Sequence, residues 1–226
     1  MLNVVLLAKT PSAEDIIAKA AKLCYSEKGV SELELTDKQK KKMVTKMFTL
    51  GHHSTMEHAN FTFGIEGISR ACSHQLVRHR LASFSQQSQR YVKFNSQFEY
   101  YTPESIKEKP ELLSKYNSLM EQLSGVYQEM IGNGIPAEDA RYLLPNSCCT
   151  KLIMTMNVRE LLHFFNMRLC SRAQKEIRDV AAKMLSLVKK EAPEIFEKAG
   201  PTCVSYGYCR EDHKECPLYK KIIQKS

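Results

Sequence analysis

Arg78-His79-Arg80-Leu81-Ala82-Ser83-Phe84-Ser85-Gln86-Gln87-Ser88-Gln89-Arg90-Tyr91 is the stretch from which the rest of the chain is read. It puts three arginines, one histidine, three serines and three glutamines into fourteen residues, and only Leu81, Ala82 and Phe84 are plainly apolar. Such a stretch is not a core element, because each buried polar group would need a partner or carry a desolvation cost. It contains no Gly, Pro, Asp or Glu, so Arg78, Arg80 and Arg90 have no carboxylate close by in sequence. Donors concentrated without local acceptors point to an anionic ligand, and guanidinium forks suit phosphate.

Upstream, Asn60 to Glu66 alternates apolar and polar residues, the pattern of a half-buried strand. Ser69 to Val77 then reads as a helix that delivers Gln75 and Arg78 to the polar stretch. Further back, Asn3 to Lys9 is a short strand. A helix follows with Ser12 as its N-cap, and a second runs from Thr36 or Asp37 to Leu50, ended by Gly51. Downstream, Tyr91 to Tyr101 reads as extended. A helical region broken at Pro110 reaches Ile131, and a short helix starting at Pro136 carries Arg141. Cys148 to Met156 reads as a strand. Val158 to Leu169 and Arg172 to Ala192 read as amphipathic helices. Helices outnumber strands and no βαβ alternation appears, so the expected class is α+β. Neither GxGxxG nor a P-loop is present, which removes Rossmann and Walker nucleotide sites.

With 226 residues, 43% hydrophobic and 26% charged, the chain fits one soluble domain. We expect residues 1–200 to form it and 201–226 to be a Cys-rich tail. No apolar run approaches membrane-spanning length, and Val4 to Ala8 lacks a basic leader, so a cytoplasmic location is the default. The net charge of +8 permits a nucleic-acid partner. Of the eight cysteines, Cys24, Cys72 and Cys170 lie in helical patterns and read as small core residues. His52, His53 and His58 lack the HExxH arrangement, so no metal is assigned to them. In the tail, Cys203, Cys209 and Cys216 with His213 do not match a CxxC knuckle. Free thiols, a disulfide and a metal all stay open there.

Arg78-His79-Arg80 followed after seven residues by Ser88 and Arg90 resembles the signature of the flavin-dependent thymidylate synthases. Gly51 to His58, Asn157-Val158-Arg159-Glu160 and Asn166-Met167-Arg168 fit the same family in order and spacing. The resemblance implies FAD-dependent methylation of dUMP to dTMP for thymidylate biosynthesis. Methylenetetrahydrofolate would give the carbon and NADPH would reduce the flavin, with no cysteine nucleophile. It implies a mainly antiparallel sheet and active sites at subunit interfaces of a homotetramer, with neither nucleic acid nor membrane as partner.

Residue by residue, it assigns FAD contacts to Ser54, Arg78, His79, Arg80, Gln86, Asn157, Arg159 and His163. Nucleotide contacts fall to Gln75, Arg78, Gln86, Gln87, Ser88, Gln89, Arg90, Arg141 and Arg168. Arg168 sits among Phe164, Phe165, Met167 and Leu169, so its guanidinium needs an acceptor. Either a carboxylate or a pyrimidine edge serves. At the N3/O2 side of uracil it would stabilise developing negative charge and make C5 the nucleophile. Ser88 has no evident base for a covalent role and is expected to position and polarise the uracil. Arg141 has a competing reading as a surface partner of Glu138. Gln86 stands where many members have Glu, and His163 where others have Asn. Both keep hydrogen-bonding capacity, so altered affinity is expected and not altered chemistry. The competing functional class is a basic nucleic-acid-binding protein, but no helix-turn-helix, RRM or zinc-finger pattern supports it.

Overall fold

A computed structural model describes residues 1–223. The elements in order are β1 (Asn3–Lys9), α1 (Ala13–Leu23), α2 (Asp37–Leu50), β2 (Asn60–Ser69), α3 (Arg70–Leu76) and β3 (Ala82–Gln86). They continue with α4 (Glu104–Lys107), α5 (Pro110–Gly132), α6 (Ala137–Ala140), β4 (Cys149–Asn157) and α7 (Val158–Arg168). The last are α8 (Lys175–Glu191), α9 (Pro193–Phe196), α10 (Thr202–Tyr206) and α11 (Pro217–Ile223). The strands form one four-stranded sheet in the order β1-β2-β4-β3. The fold is α+β with an antiparallel sheet. The chain divides into two compact units, neither of them a continuous stretch.

The first unit comprises Met1–Asn3, Gly64–Arg78 and Phe84–Ile153. Its core gathers Phe98, Met120 and Cys148, with Phe94, Tyr100 and Tyr116 packed against them. The segment expected to be extended, Tyr91 to Tyr101, is mostly irregular. Only Tyr100 bridges Cys148, because the aromatics of this segment turn onto α5 and not onto a neighbouring strand. Gly67 adopts φ +68, and a Cβ there would collide with the Met1 carbonyl. The Ser69 hydroxyl accepts from Cys72 N at 3.0 Å and caps α3. Arg70 N donates to Cys148 O at 3.0 Å, fixing the start of α3 beside the start of β4. Pro136 lies one residue before the helix it was expected to begin. Its extended backbone makes it the cap of α6, not its first turn.

The second unit comprises Val4–Phe63, His79–Ser83 and the chain from Met154 onward. Ser12 occupies the N-cap of α1 but adopts left-handed backbone geometry with φ 49, and its hydroxyl makes no capping bond. Thr36 and Gln39 form a capping box on α2, and Gly51 closes that helix at φ 70. The core is aromatic: Phe196 packs edge-on against Phe61 and Phe165, at 5.5 and 6.1 Å between ring centroids. Of the stripe expected on α8, Ile177, Val180, Ala181, Met184 and Val188 are buried and Leu185 is half-buried. The apolar face of α7 is narrower than expected, since Met167 is exposed and Leu169 half-buried near the helix end. Cys72 is buried, as expected of a small core residue. Cys24 is exposed where α1 ends, and Cys170 is half-buried just beyond α7. Residues 224–226 of the expected tail lie outside the described residues. Among the described residues no helix is long and apolar enough to cross a membrane.

Candidate active site

Each unit carries its own group of the residues singled out by sequence. In the second unit the decisive arrangement is a chain of three side chains, two of them buried and Arg168 half-buried. His79 Nδ1 lies 3.0 Å from Glu160 Oε1, and Arg168 Nε donates to His79 Nε2 at 3.0 Å. A guanidinium has no acceptor, so His79 Nε2 must carry the lone pair. The ring proton therefore sits on Nδ1 and is donated to the Glu160 carboxylate. Burial, the Arg168 charge and His163 all disfavour the imidazolium and lower the His79 pKa to about 4. Glu160 is also buried, which pushes its carboxyl upward. His163 stacks edge-on with His79 at 5.8 Å, and Phe164 does so at 5.0 Å. His79 is thus a neutral positioning group. Its charge is not available to a phosphate, unlike the exposed arginines on either side of it in sequence.

Two cavities lie here, one reaching Glu160 and a second that shares His53 and Arg159 with the first. One of about 410 Å³ is lined by Arg159, Glu160, His163, Asn166, Tyr206 and Leu81, among others. The other, of about 280 Å³, is lined by Ser54, His52, His53 and Arg159. His53 Nε2 and Asn166 Oδ1 are buried without a hydrogen-bond partner among the described residues. Burial holds His53 below its ordinary pKa, aided by Arg159. Arg159 is paired with Glu57 at the surface. Asn157 Oδ1 accepts from Glu160 N at 2.9 Å and so caps α7, which aims the whole helix. Arg80 is exposed, with no ion pair among the described residues.

In the first unit, Gln75 lies on α3 and Arg78 is exposed just beyond it. β3 runs along the polar stretch and turns Ala82, Phe84 and Gln86 to its more buried side. The Gln86 amide donates to Ser73 Oγ at 3.0 Å and Thr150 Oγ1 at 3.2 Å. Gln87 N ends the pairing with β4 by donating to Lys151 O at 3.0 Å. Ser88 Oγ accepts from Arg90 N at 3.2 Å, and the Gln89 amide approaches Cys148 Sγ at 3.9 Å. Arg90 and Arg141, separated by fifty residues of chain, meet at Glu138. Arg90 Nε and Nη2 donate to its carboxylate at 3.1 and 3.0 Å, whereas Arg141 Nε takes its backbone carbonyl at 3.1 Å. The expected Arg141–Glu138 side-chain pair is therefore an Arg90–Glu138 pair. It is exposed, and pairs of this kind are weakly held.

The family model described as thymidylate synthase complementing protein matches residues 5–194. The chain is 49% identical to the flavin-dependent thymidylate synthase of Geobacter sulfurreducens, over 95% of this chain and 94% of that one.

The chain belongs to the flavin-dependent thymidylate synthase family.

The enzyme of that name from Pyrococcus furiosus is 44% identical, with 93% of this chain and 90% of its own covered. A crystal structure of the UMP/dUMP methylase PolB from Streptomyces cacaoi, bound with 5-Br dUMP, has the same fold. It gives a TM-score of 0.76 over 87% of this chain and 94% of that one, at 23% identity. Within a thymidylate synthase of this family, two residues stand out whose partners sequence reasoning missed. Glu160 reads locally as a first-turn acid favouring the α7 dipole, and only His79, 81 residues away, gives it a second role. Glu138 is likewise assigned only by Arg90, 48 residues upstream.

Proposed function

We propose that this member of the family methylates dUMP to dTMP with FAD, taking the carbon from methylenetetrahydrofolate and reducing the flavin with NADPH. The observation that carries the reading is the Glu160–His79–Arg168 chain. A neutral imidazole at Nε orients the guanidinium and adds no opposing charge of its own. A guanidinium so oriented suits an electron-rich ring edge. At the N3/O2 side of uracil, Arg168 stabilises the charge that develops as C5 becomes nucleophilic. Ser88 positions the base. Arg90 and Arg141 leave Glu138 for the nucleotide phosphate, with Arg78, Gln75 and the amides of Gln86, Gln87 and Gln89 completing the nucleotide contacts.

The larger cavity suits a ring-bearing anionic cofactor. Its wall carries Arg159 and His163, with apolar surface from Leu81 and Tyr206. Buried, partnerless polar atoms on His53 and Asn166 await donors or acceptors from a ligand. Ser54, Arg78, Arg80, Asn157, Arg159 and His163 are the residues that hold FAD in this reading, with Gln86 beside them and His79 acting through Arg168. When bound, the flavin supplies the hydride that no side chain can. Burial pushes the Cys148 thiol up to about 11, so this cysteine, which Gln89 approaches, is not a thiolate at neutral pH. That agrees with methylation that uses no cysteine nucleophile. The working form is a cytoplasmic homotetramer with its sites at subunit interfaces.

The test is direct. Purified protein should be yellow with a flavin absorption spectrum, and should convert dUMP to dTMP when given methylenetetrahydrofolate and NADPH. A colourless protein that instead binds DNA with a steep salt dependence refutes the proposal in favour of a nucleic-acid partner.

A further inference from the structure

The segment after α7 and the residues beyond α8 together hold a second concentration of reactive groups that methylation does not use. Cys170, Cys203 and Cys209 line one cavity of about 240 Å³, together with Arg172, Arg210 and Glu211. Cys203, on α10, is almost fully buried. Burial pushes its thiol up, and Cys170, Cys209 and Cys216 around it act in the same direction. Three of the chain's eight thiols therefore line this cavity, and Cys216 is near enough to Cys203 to act on it.

The neighbours of the cluster are consistent with thiol chemistry. Cys216 Sγ lies 3.2 Å from the hydroxyl of Ser171, the residue after Cys170. His213 N donates to Cys209 Sγ at 3.4 Å. Arg172 pairs with Glu211 at 3.6 Å, so the cationic wall is partly neutralised. No two of the eight cysteines are joined in a disulfide. Among the described residues no three His, Cys, Asp or Glu side chains are disposed to hold a metal ion, which directs the reading to sulfur–sulfur chemistry. Cys170 is half-buried in the cavity wall and so is reachable from solvent, whereas Cys203 is enclosed.

We propose that Cys170 and Cys203 form a reversible disulfide by exchange with a low-molecular-weight disulfide, fastening α10 to the end of α7. The Cys170 thiolate attacks one sulfur of the reagent. The reagent's S–S bond breaks, and the departing thiolate takes the proton that Cys170 released. The Cys203 thiolate then attacks the Cys170 sulfur of the mixed disulfide and expels the second small thiol. Two protein thiols are oxidised, one external disulfide is reduced to two thiols, and no other oxidant is needed. The tether closes a loop of 33 residues beginning two residues after Arg168, so it reaches the helix that carries that arginine.

The experiment uses the full-length flavin-bound protein, equilibrated in oxidised and reduced glutathione at graded ratios. Free thiols are blocked by alkylation and the protein is digested for peptide mass spectrometry. The expected product is a peptide linking Cys170 to Cys203, about 2 Da lighter than the two free peptides. Dithiothreitol should remove it. It should be absent from both Cys203→Ser and Cys170→Ser, whereas Cys24→Ser should form it normally. Limited proteolysis after Gly207 should slow at least severalfold in the oxidised wild type only, which gives a readout independent of either variant's folding. Complete alkylation of both residues at every ratio overturns the proposal. So does glutathione left on Cys170 without a linked peptide. One zinc per chain, found in protein purified without added metal and shielding these thiols, overturns it in favour of a metal site.

Discussion

If His79 is held neutral between Arg168 and Glu160, acid should unfold this protein in a particular way. The folded-state pKa of His79 is lowered from 6.5 to about 4. Between those values the unfolded chain binds a proton that the folded chain refuses, so stability falls as the pH drops through this window. Integrating the linkage for this one group from pH 7 to pH 5 gives a loss of about 2 kcal/mol. His53, also lowered by burial, adds in the same sense. Glu160 opposes both. Its raised carboxyl contributes stability that is complete at low pH and is lost as pH rises through its folded value. His79→Gln isolates the histidine, because glutamine offers an amide N–H to Glu160 and a carbonyl to Arg168 but does not titrate. Urea unfolding of both proteins at pH 7 and pH 5, at one protein concentration and one flavin occupancy, gives the comparison. Wild type should lose about 2 kcal/mol more than the variant. Equal losses would mean that His79 is protonated in the folded protein at pH 5, and the assigned tautomer would be wrong.

Arg168→Ala should retain FAD absorbance while losing dUMP affinity by roughly tenfold or more, since a charge-assisted bond is removed, and dTMP formation should be abolished. Normal turnover in that variant would remove Arg168 from the chemistry. Glu138→Gln frees Arg90 from its exposed carboxylate, so dUMP titration should show equal or tighter binding with an unchanged melting temperature. Weaker binding would show that Glu138 orients the arginine and does not compete with phosphate. Phe165→Ala, which removes a fully buried ring touching Phe164 and Phe196, should cost about 3–5 kcal/mol in urea unfolding. A loss below about 1 kcal/mol would mean that the aromatic cluster repacks.

What could be read in advance divides along a physical line. Patterns carried by neighbouring residues were legible: the alternation of Phe61, Phe63 and Ile65, a cap at Thr36 or Asp37, the Gly51 stop and the α8 stripe all appear as expected, the cap falling to Thr36. Each depends on a period or a cap spanning a few residues, which chain order preserves. The need of Arg168 for an acceptor was also legible, because a guanidinium flanked by Phe164 and Phe165 cannot stay unsatisfied. The acceptor's identity was not. It is an imidazole 89 residues away, whose lone pair is exposed only because Glu160 takes its other proton. The resemblance groups His79 with its arginine neighbours, but sequence does not show what charge it carries. Burial decides that, since a group desolvated and faced by a cation gives up its charge. Glu138 teaches the same lesson at the surface: the polar stretch lacks a carboxylate in sequence, yet the fold supplies one to Arg90 from α6. Spacing thus names the ligating residue types, while the charge each one carries is decided by partners that only the fold brings near.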